Sequence, residues 1–226
     1  MLTGVNRNRQ VKGYICMHFC EVPETMAHAL VNSDEKGLKP IQVPDNVAKT
    51  IYLLARLASP KKILEIGTLG GYSTLWLARA LEEDGKLITL ECVEKHACVA
   101  RENVAFAGKE DQIEIRQGLA SDLLAQMIEK DEGPFDVIFL DADKNRYPEY
   151  LEPCLRLSRP GTLILSDNLI PKRGEIGQPD PRDNEAVEIY TYNQMLKDHP
   201  LLETVLLTTL VGEEGRIDAL GVSRVK

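Results

Sequence analysis

From Lys62 onward the chain alternates short Leu-rich or β-branched runs with stretches of helical pattern, and that alternation constrains its fold most. The runs are 62–66 (KILEI), 86–91 (KLITLE), 112–116 (QIEIR), 135–140 (FDVIFL) and 161–166 (GTLILS). Between them lie helical segments such as 94–107, with Gly108 placed as a C-terminal stop. Such alternation predicts parallel strands joined by right-handed crossover helices on both faces of a sheet. The near-continuous apolar stretches VIFL (137–140) and TLIL (162–165) suit strands covered on both sides. After a helical pattern at 183–197 come two longer runs, 203–211 and 217–225, separated by Gly212–Arg216. That gap permits a hairpin but no parallel crossover. The expected fold is therefore α/β: a doubly wound, seven-stranded sheet, mostly parallel, with a C-terminal antiparallel hairpin strand.

With 226 residues, 43% of them hydrophobic, the chain can bury one full core. The expectation is a single Rossmann-like domain over 1–226, with 1–42 as an N-terminal helical or lid segment and 43–226 as the core. Residues 45–58 read as a helix with Val47, Ile51, Leu54, Ala55 and Ala58 on its apolar face, stopped at Ser59-Pro60. Residues 1–20 carry no assignable pattern. The formal charge of −8 argues against a protein built to hold nucleic acid. No segment approaches the ~20 apolar residues of a membrane span. Five cysteines, an odd number without zinc-like spacing, fit free thiols in a reducing cytoplasm. Cys92 and Cys98 are expected to pack as small apolar residues, and Trp76 as core. His18, between Cys16 and Cys20, lacks the spacing of a zinc ligand.

The chemistry begins where the first strand ends. Glu65-Ile66-Gly67-Thr68-Leu69-Gly70-Gly71-Tyr72-Ser73 passes from strand through a glycine-rich turn into a helix. Glycines let the backbone approach a ligand, and a helix start offers unpaired N–H groups. Glu91 ends the second strand, where a carboxylate can accept hydrogen bonds from both hydroxyls of a ribose. A nucleoside-bearing cofactor follows. The turn is not G-x-G-x-x-G, and an acid before it suits a positively charged or amino-acid-bearing ligand better than a pyrophosphate.

A second constellation lies at the tips of strands four and five. Asp141-Ala142-Asp143-Lys144 closes one, and Ser166-Asp167-Asn168 closes the next. Carboxylates gathered on adjacent tips repel one another unless a cation or protons intervene. An all-oxygen donor set suits a hard cation such as Mg²⁺, Ca²⁺ or Mn²⁺.

These three motifs resemble those of the caffeoyl-CoA and catechol O-methyltransferase family, its small bacterial members in particular, from about residue 40 to the end. The resemblance implies S-adenosylmethionine as cofactor. Glu65, Gly67, Thr68 and Ser73 would hold its methionyl and backbone side, with Val43 lining the same end. Glu91 would bind the ribose, Ala120 would sit near the adenine, and Asp143 would contact the amino group. Asp141, Asp167 and Asn168 match the metal ligands, with Asp141 also at the cofactor. Lys144 matches the general base, so Lys144 and Asp141 are the catalytic pair. The relatives are commonly homodimers.

The expected reaction is transfer of a methyl group to a hydroxyl of a catechol-like phenolic small molecule. A phenol with a pKa near ~10 is barely ionised at neutral pH, and a chelating cation would favour its oxyanion. The first alternative is methylation of 5-hydroxyuridine in tRNA, a substrate associated with some bacterial relatives. A nicotinamide-dependent oxidoreductase and a non-catalytic binding protein are the remaining ones. Lys172 and Arg173, in the loop 169–182, stand near the expected pocket mouth, where they could meet an anionic substrate.

Overall fold

The computed structural model describes residues 4–226, with side chains from Arg7 onward, and joins all seven expected strands in one sheet. The strands are β1 (Lys62–Ile66), β2 (Lys86–Glu91), β3 (Ile113–Gln117), β4 (Val137–Leu140), β5 (Leu163–Ser166), β6 (Leu202–Val211) and β7 (Arg216–Val225). Their order across the sheet is β3-β2-β1-β4-β5-β7-β6. β7 runs opposite to the other six strands, pairing antiparallel with both β5 and β6. The chain winds outward from β1 to β3 and then returns to build the other half from β4. A crevice therefore opens at the carboxyl tips of β1 and β4, where open sheets of this kind take ligands.

Register makes that crevice orderly. Ile66 is level with Leu90 on one side and Leu140 on the other, and Leu140 is level with Ser166. Glu91, Gly67, Asp141 and Asp167 consequently leave four neighbouring strands in one row. The ladder continues one step into that row. Gly67 N–H donates to Leu90 O, Asp141 N–H to Ile66 O and Asp167 N–H to Leu140 O, each at 2.9–3.0 Å.

Helices cover both faces, as the two-sided apolar strands require. The helices α2 (Glu24–Glu35), α3 (Asp45–Leu57), α4 (Tyr72–Ala78) and α5 (Glu94–Phe106) lie on one face. There Ile51, Trp76 and Leu77 pack against Ile63, Val137 and Phe139. On the other face are α6 (Ala120–Glu129), α7 (Tyr147–Arg156), entered through a 3₁₀ turn at Lys144–Arg146, and α8 (Asn184–Asp198). Met127, Tyr150, Cys154 and Tyr192 pack there against Leu64, Ile66, Ile138 and Leu140. Alternate strand residues thus feed opposite cores, as a period of two demands.

Within the N-terminal segment expected to be helical or a lid, the residues hard to assign from sequence contain a helix, α1 (Gly4–Phe19), along which no described side chain is fully buried. It rests on the hairpin turn, where Lys12 Nζ donates to Gly212 O at 2.8 Å. The helix expected to reach Ala58 stops at Leu57, because Ser59 turns to a φ of 45° ahead of Pro60. Strand four begins at Val137 rather than 135. Just ahead of it, the Asp136 carboxylate accepts from Lys61 N–H (2.8 Å) and Lys62 N–H (3.0 Å) at the entry to β1.

Candidate active site

A cavity of about 550 Å³ opens over the row of strand tips. Its glycine turn is imposed by backbone contact. Gly67 holds a φ of 102°, and a Cβ there would stand 2.2 Å from the carbonyl oxygen of Asp141. Only glycine lets the chain leave β1 this close to the exit from β4. Gly71, at a φ of 82°, then starts α4. Gly67, Thr68 and Ser73 all line the cavity, as does the otherwise buried Val43.

Glu91 lines the opposite end, its carboxylate fixed by two backbone donors. Leu69 N–H reaches Oε2 and Val93 N–H reaches Oε1, each at 2.8 Å. Each oxygen keeps acceptor capacity for a ligand hydroxyl. His96, on the first turns of α5, brings Nδ1 to 3.5 Å from Oε1, and Ala120 opens α6 at the same wall. Cys92 also lines this wall, and both it and Cys98 are exposed. Their expected packing as apolar residues is corrected, because Cys92 follows the tip of β2 and Cys98 takes an outward position on α5 between the buried Ala97 and Val99. Trp76 is core, as expected.

At the other end stand Asp141, Asp143, Lys144 and Asn168. Lys144 Nζ donates to Asp141 Oδ1 at 2.6 Å and to Tyr147 Oη at 2.7 Å. The fully buried Tyr147 hydroxyl in turn reaches Leu140 O (3.0 Å) and Asp167 O (3.1 Å), tying together the tips of β4 and β5. Asp143 Oδ1 accepts from Tyr150 Oη at 2.8 Å. Asn168 holds a φ of 59° and donates through Nδ2 to Asp218 Oδ2 at 3.2 Å. Tyr147, Tyr150 and Asp218 carried no local motif in the sequence; their partners lie on other turns and strands.

Two expected residues lie behind the cavity wall. Glu65 has no exposed surface and points to the α4 side of β1. Its carboxyl accepts from Ser73 Oγ at 2.6 Å, from Thr89 Oγ1 at 2.7 Å and from Thr74 Oγ1. Burial pushes its pKa up to about 7 against the opposing pull of those hydroxyls. It therefore braces the glycine turn from beneath. Asp167 is also buried, and burial, followed by the nearby Asp141, pushes it up to about 7. Its Oδ1 has no hydrogen-bond partner. Lys172 reaches the cavity edge, 3.5 Å from Glu185, whereas Arg173 is not among the lining residues.

Among the described residues, no three His, Cys, Asp or Glu side chains are arranged as a metal-holding group. The expected set has two acids, Asp141 and Asp167, with the Asn168 amide as third donor. An orphaned, buried carboxylate oxygen beside a second carboxylate is the chemistry that a hard divalent cation satisfies. The donor set fits such an ion.

A family profile described as O-methyltransferase matches residues 19–213. The catechol O-methyltransferase of Niastella koreensis is 44% identical over 192 residues, covering 85% of this chain and 86% of that one. Among solved structures, the O-methyltransferase from Bacillus cereus in complex with S-adenosylhomocysteine (SAH) is 37% identical. It superposes with a TM-score of 0.91 over 98% of this chain and 100% of that one. The O-methyltransferase TomG of Streptomyces achromogenes, in complex with S-adenosylmethionine (SAM), is 33% identical with a TM-score of 0.90, covering 100% of both chains.

Proposed function

The chain belongs to the O-methyltransferase family and is an S-adenosylmethionine-dependent O-methyltransferase, and from that premise we propose that its acceptor is a catechol-like phenol held beside a divalent cation. The observation that carries this reading is one cavity end lined by Asp141, Lys144 and Asn168, next in the row to the unpartnered carboxylate oxygen of Asp167. The name of the Niastella koreensis relative supports the same substrate class. Family membership leaves no place for the nicotinamide alternative.

Bound S-adenosylmethionine supplies an electrophilic methyl group on a sulfonium centre. A divalent cation, for which Mg²⁺ is our choice over Ca²⁺ or Mn²⁺, supplies positive charge that favours a phenolate over a phenol. Asp141, Asp167 and Asn168 would hold the cation. Glu91, its plane set by the Leu69 and Val93 amides, accepts the ribose hydroxyls. Gly67, Thr68 and Ser73 shape the wall for the methionyl part, and Asp143, steadied by Tyr150, faces the amino group. Lys144 is the proton acceptor: after losing one of its own protons to solvent at the cavity edge, Nζ, held by Asp141 and Tyr147, takes the phenolic one. With the methyl donor bound, the phenolic oxygen would take the methyl group and the thioether would be the leaving group, so opposite charges would cancel. The site's main service is alignment, which in favourable cases is worth roughly 7–11 kcal/mol. We propose further that the protein is a homodimer, on the family resemblance, and cytoplasmic, on its free cysteines.

The test is methyl transfer from labelled S-adenosylmethionine to catechol and caffeic acid, with Mg²⁺ or with EDTA. Transfer should require the metal and vanish in Asp141→Ala. Lys144→Met should lower kcat by about 10²–10⁴-fold. Undiminished transfer in EDTA would remove the cation. Cofactor binding without transfer to any catechol would remove the substrate class and make 5-hydroxyuridine in tRNA the next acceptor to try.

A further inference from the structure

Asp218 lies on β7, away from every motif that marks the site, and has no exposed surface. Its two oxygens are nevertheless fully committed. Oδ1 accepts from Ile170 N–H at 3.0 Å and from Ala219 N–H at 2.8 Å. Oδ2 accepts from Arg216 Nη2 at 2.5 Å and from Asn168 Nδ2 at 3.2 Å. Arg216 and the two amides hold the carboxylate in one place. The last bond is the one with a consequence for the cavity.

An asparagine amide has a donor end and an acceptor end of nearly equal size, and its partners decide which way each faces. A carboxylate paired with a guanidinium only accepts, so the nitrogen of Asn168 must face Asp218. Turned the other way, two acceptor oxygens would meet with no proton between them. The carbonyl oxygen is thereby left for the cavity that Asn168 lines. The backbone is fixed as well: Asn168 sits at a φ of 59°, a conformation asparagine tolerates, and Leu169 N–H donates to Ala219 O at 3.0 Å. Leu169 O accepts from Asn193 Nδ2 at 2.8 Å.

We propose that Asp218 is a positioning residue that presents the Asn168 carbonyl oxygen, rather than its amide nitrogen, to the divalent cation. The inference rests on the cation reading above and adds to it a residue outside the donor set. Partners of metal-binding side chains commonly change affinity by about 10–100-fold when removed. Asp218→Asn keeps the size of the side chain but lets it donate, so Asn168 can turn over.

The experiment is Mn²⁺ binding, followed by electron paramagnetic resonance, in the native chain, Asp218→Asn, Asn168→Ala and the double variant. S-adenosylmethionine binding by calorimetry and thermal unfolding are measured in parallel. Asp218→Asn should weaken Mn²⁺ binding by about tenfold or more while leaving cofactor affinity within about twofold. The double variant should bind no more weakly than Asn168→Ala alone, since the effect runs through that amide. If Asp218→Asn does not fold, Asp218→Ser, which also removes the acceptor-only carboxylate, carries the same prediction. Native affinity in a folded Asp218 variant overturns the proposal alone. A further loss on the Asn168→Ala background overturns its route. A native chain that binds no Mn²⁺ overturns both this inference and the cation reading beneath it.

Discussion

At the scale of the residue, Glu65 joins an ordinary sequence position to an unusual state. It occupies a core-facing place in β1, yet is a carboxyl with three hydroxyl partners and no solvent contact. Burial raises its folded pKa to about 7, above the ordinary glutamate value of about 4.3. Between those values the folded chain holds a proton that the unfolded chain has lost. Stability therefore falls as pH rises through about 4.5 to 7 and levels off above it. Asp167, also raised to about 7, adds to the same slope in cation-free buffer. Glu65→Gln removes one contributor while its amide still meets the hydroxyls of Ser73, Thr74 and Thr89. Urea unfolding at pH 5 and pH 8 should show a smaller difference in the variant than in the native chain. At pH 8 the variant should gain on the order of 2–3 kcal/mol relative to native, after subtracting the difference at pH 5. An identical pH dependence in the two proteins would mean that Glu65 stays ionised in its pocket.

Between elements, the glycine turn is held from outside as well as from beneath. Asn103, fully buried on α5, donates through Nδ2 to Gly70 O at 2.8 Å and accepts from Asn32 Nδ2 of α2 at 2.8 Å. A Cβ on Gly70 would stand 2.1 Å from Ser33 Oγ, so α2 also presses directly on the turn. Asn103→Ala leaves the Gly70 carbonyl without its buried donor, at a cost of about 1–3 kcal/mol in stability. Because that carbonyl holds the turn whose neighbours Gly67, Thr68 and Leu69 line the cavity, KM for S-adenosylmethionine should rise severalfold while kcat under saturating cofactor changes little. A fall in kcat with unchanged KM would place Asn103 elsewhere in the mechanism. The sequence reveals this region only in part. Strands, glycine turn and acidic strand tips are legible because period, φ-permissive residues and charge sit in consecutive positions. The helix α1 is not, because its half-buried described positions, Asn8, Lys12, Ile15 and Cys16, mix polar with apolar residues, and Asn103, Tyr147 and Asp218 are not, because each has a partner distant along the chain. Nor can charge alone reveal that Glu65 and Asp167 lie behind the wall while Cys92 faces the cavity.

For the molecule as a whole, the decisive arrangement is the place of β7. It lies between β5 and β6, and its residues Gly221 to Arg224 complete the ladder of β5. Deleting 212–226 would strip β5 and β6 of that partner and remove Asp218, exposing edges prone to intermolecular pairing. Such a chain should be recovered largely as aggregate, and any soluble fraction should lack a cooperative thermal transition by circular dichroism. A soluble, cooperatively unfolding product that still binds cofactor would contradict this account of the sheet. The same arrangement has a consequence in time. A ribosome delivers the glycine turn and the acidic strand tips well before the segment that slots between β5 and β6. The nascent chain thus carries every group for its chemistry while the architecture that aims them is still being translated. Catalytic competence is set to arrive late and all at once.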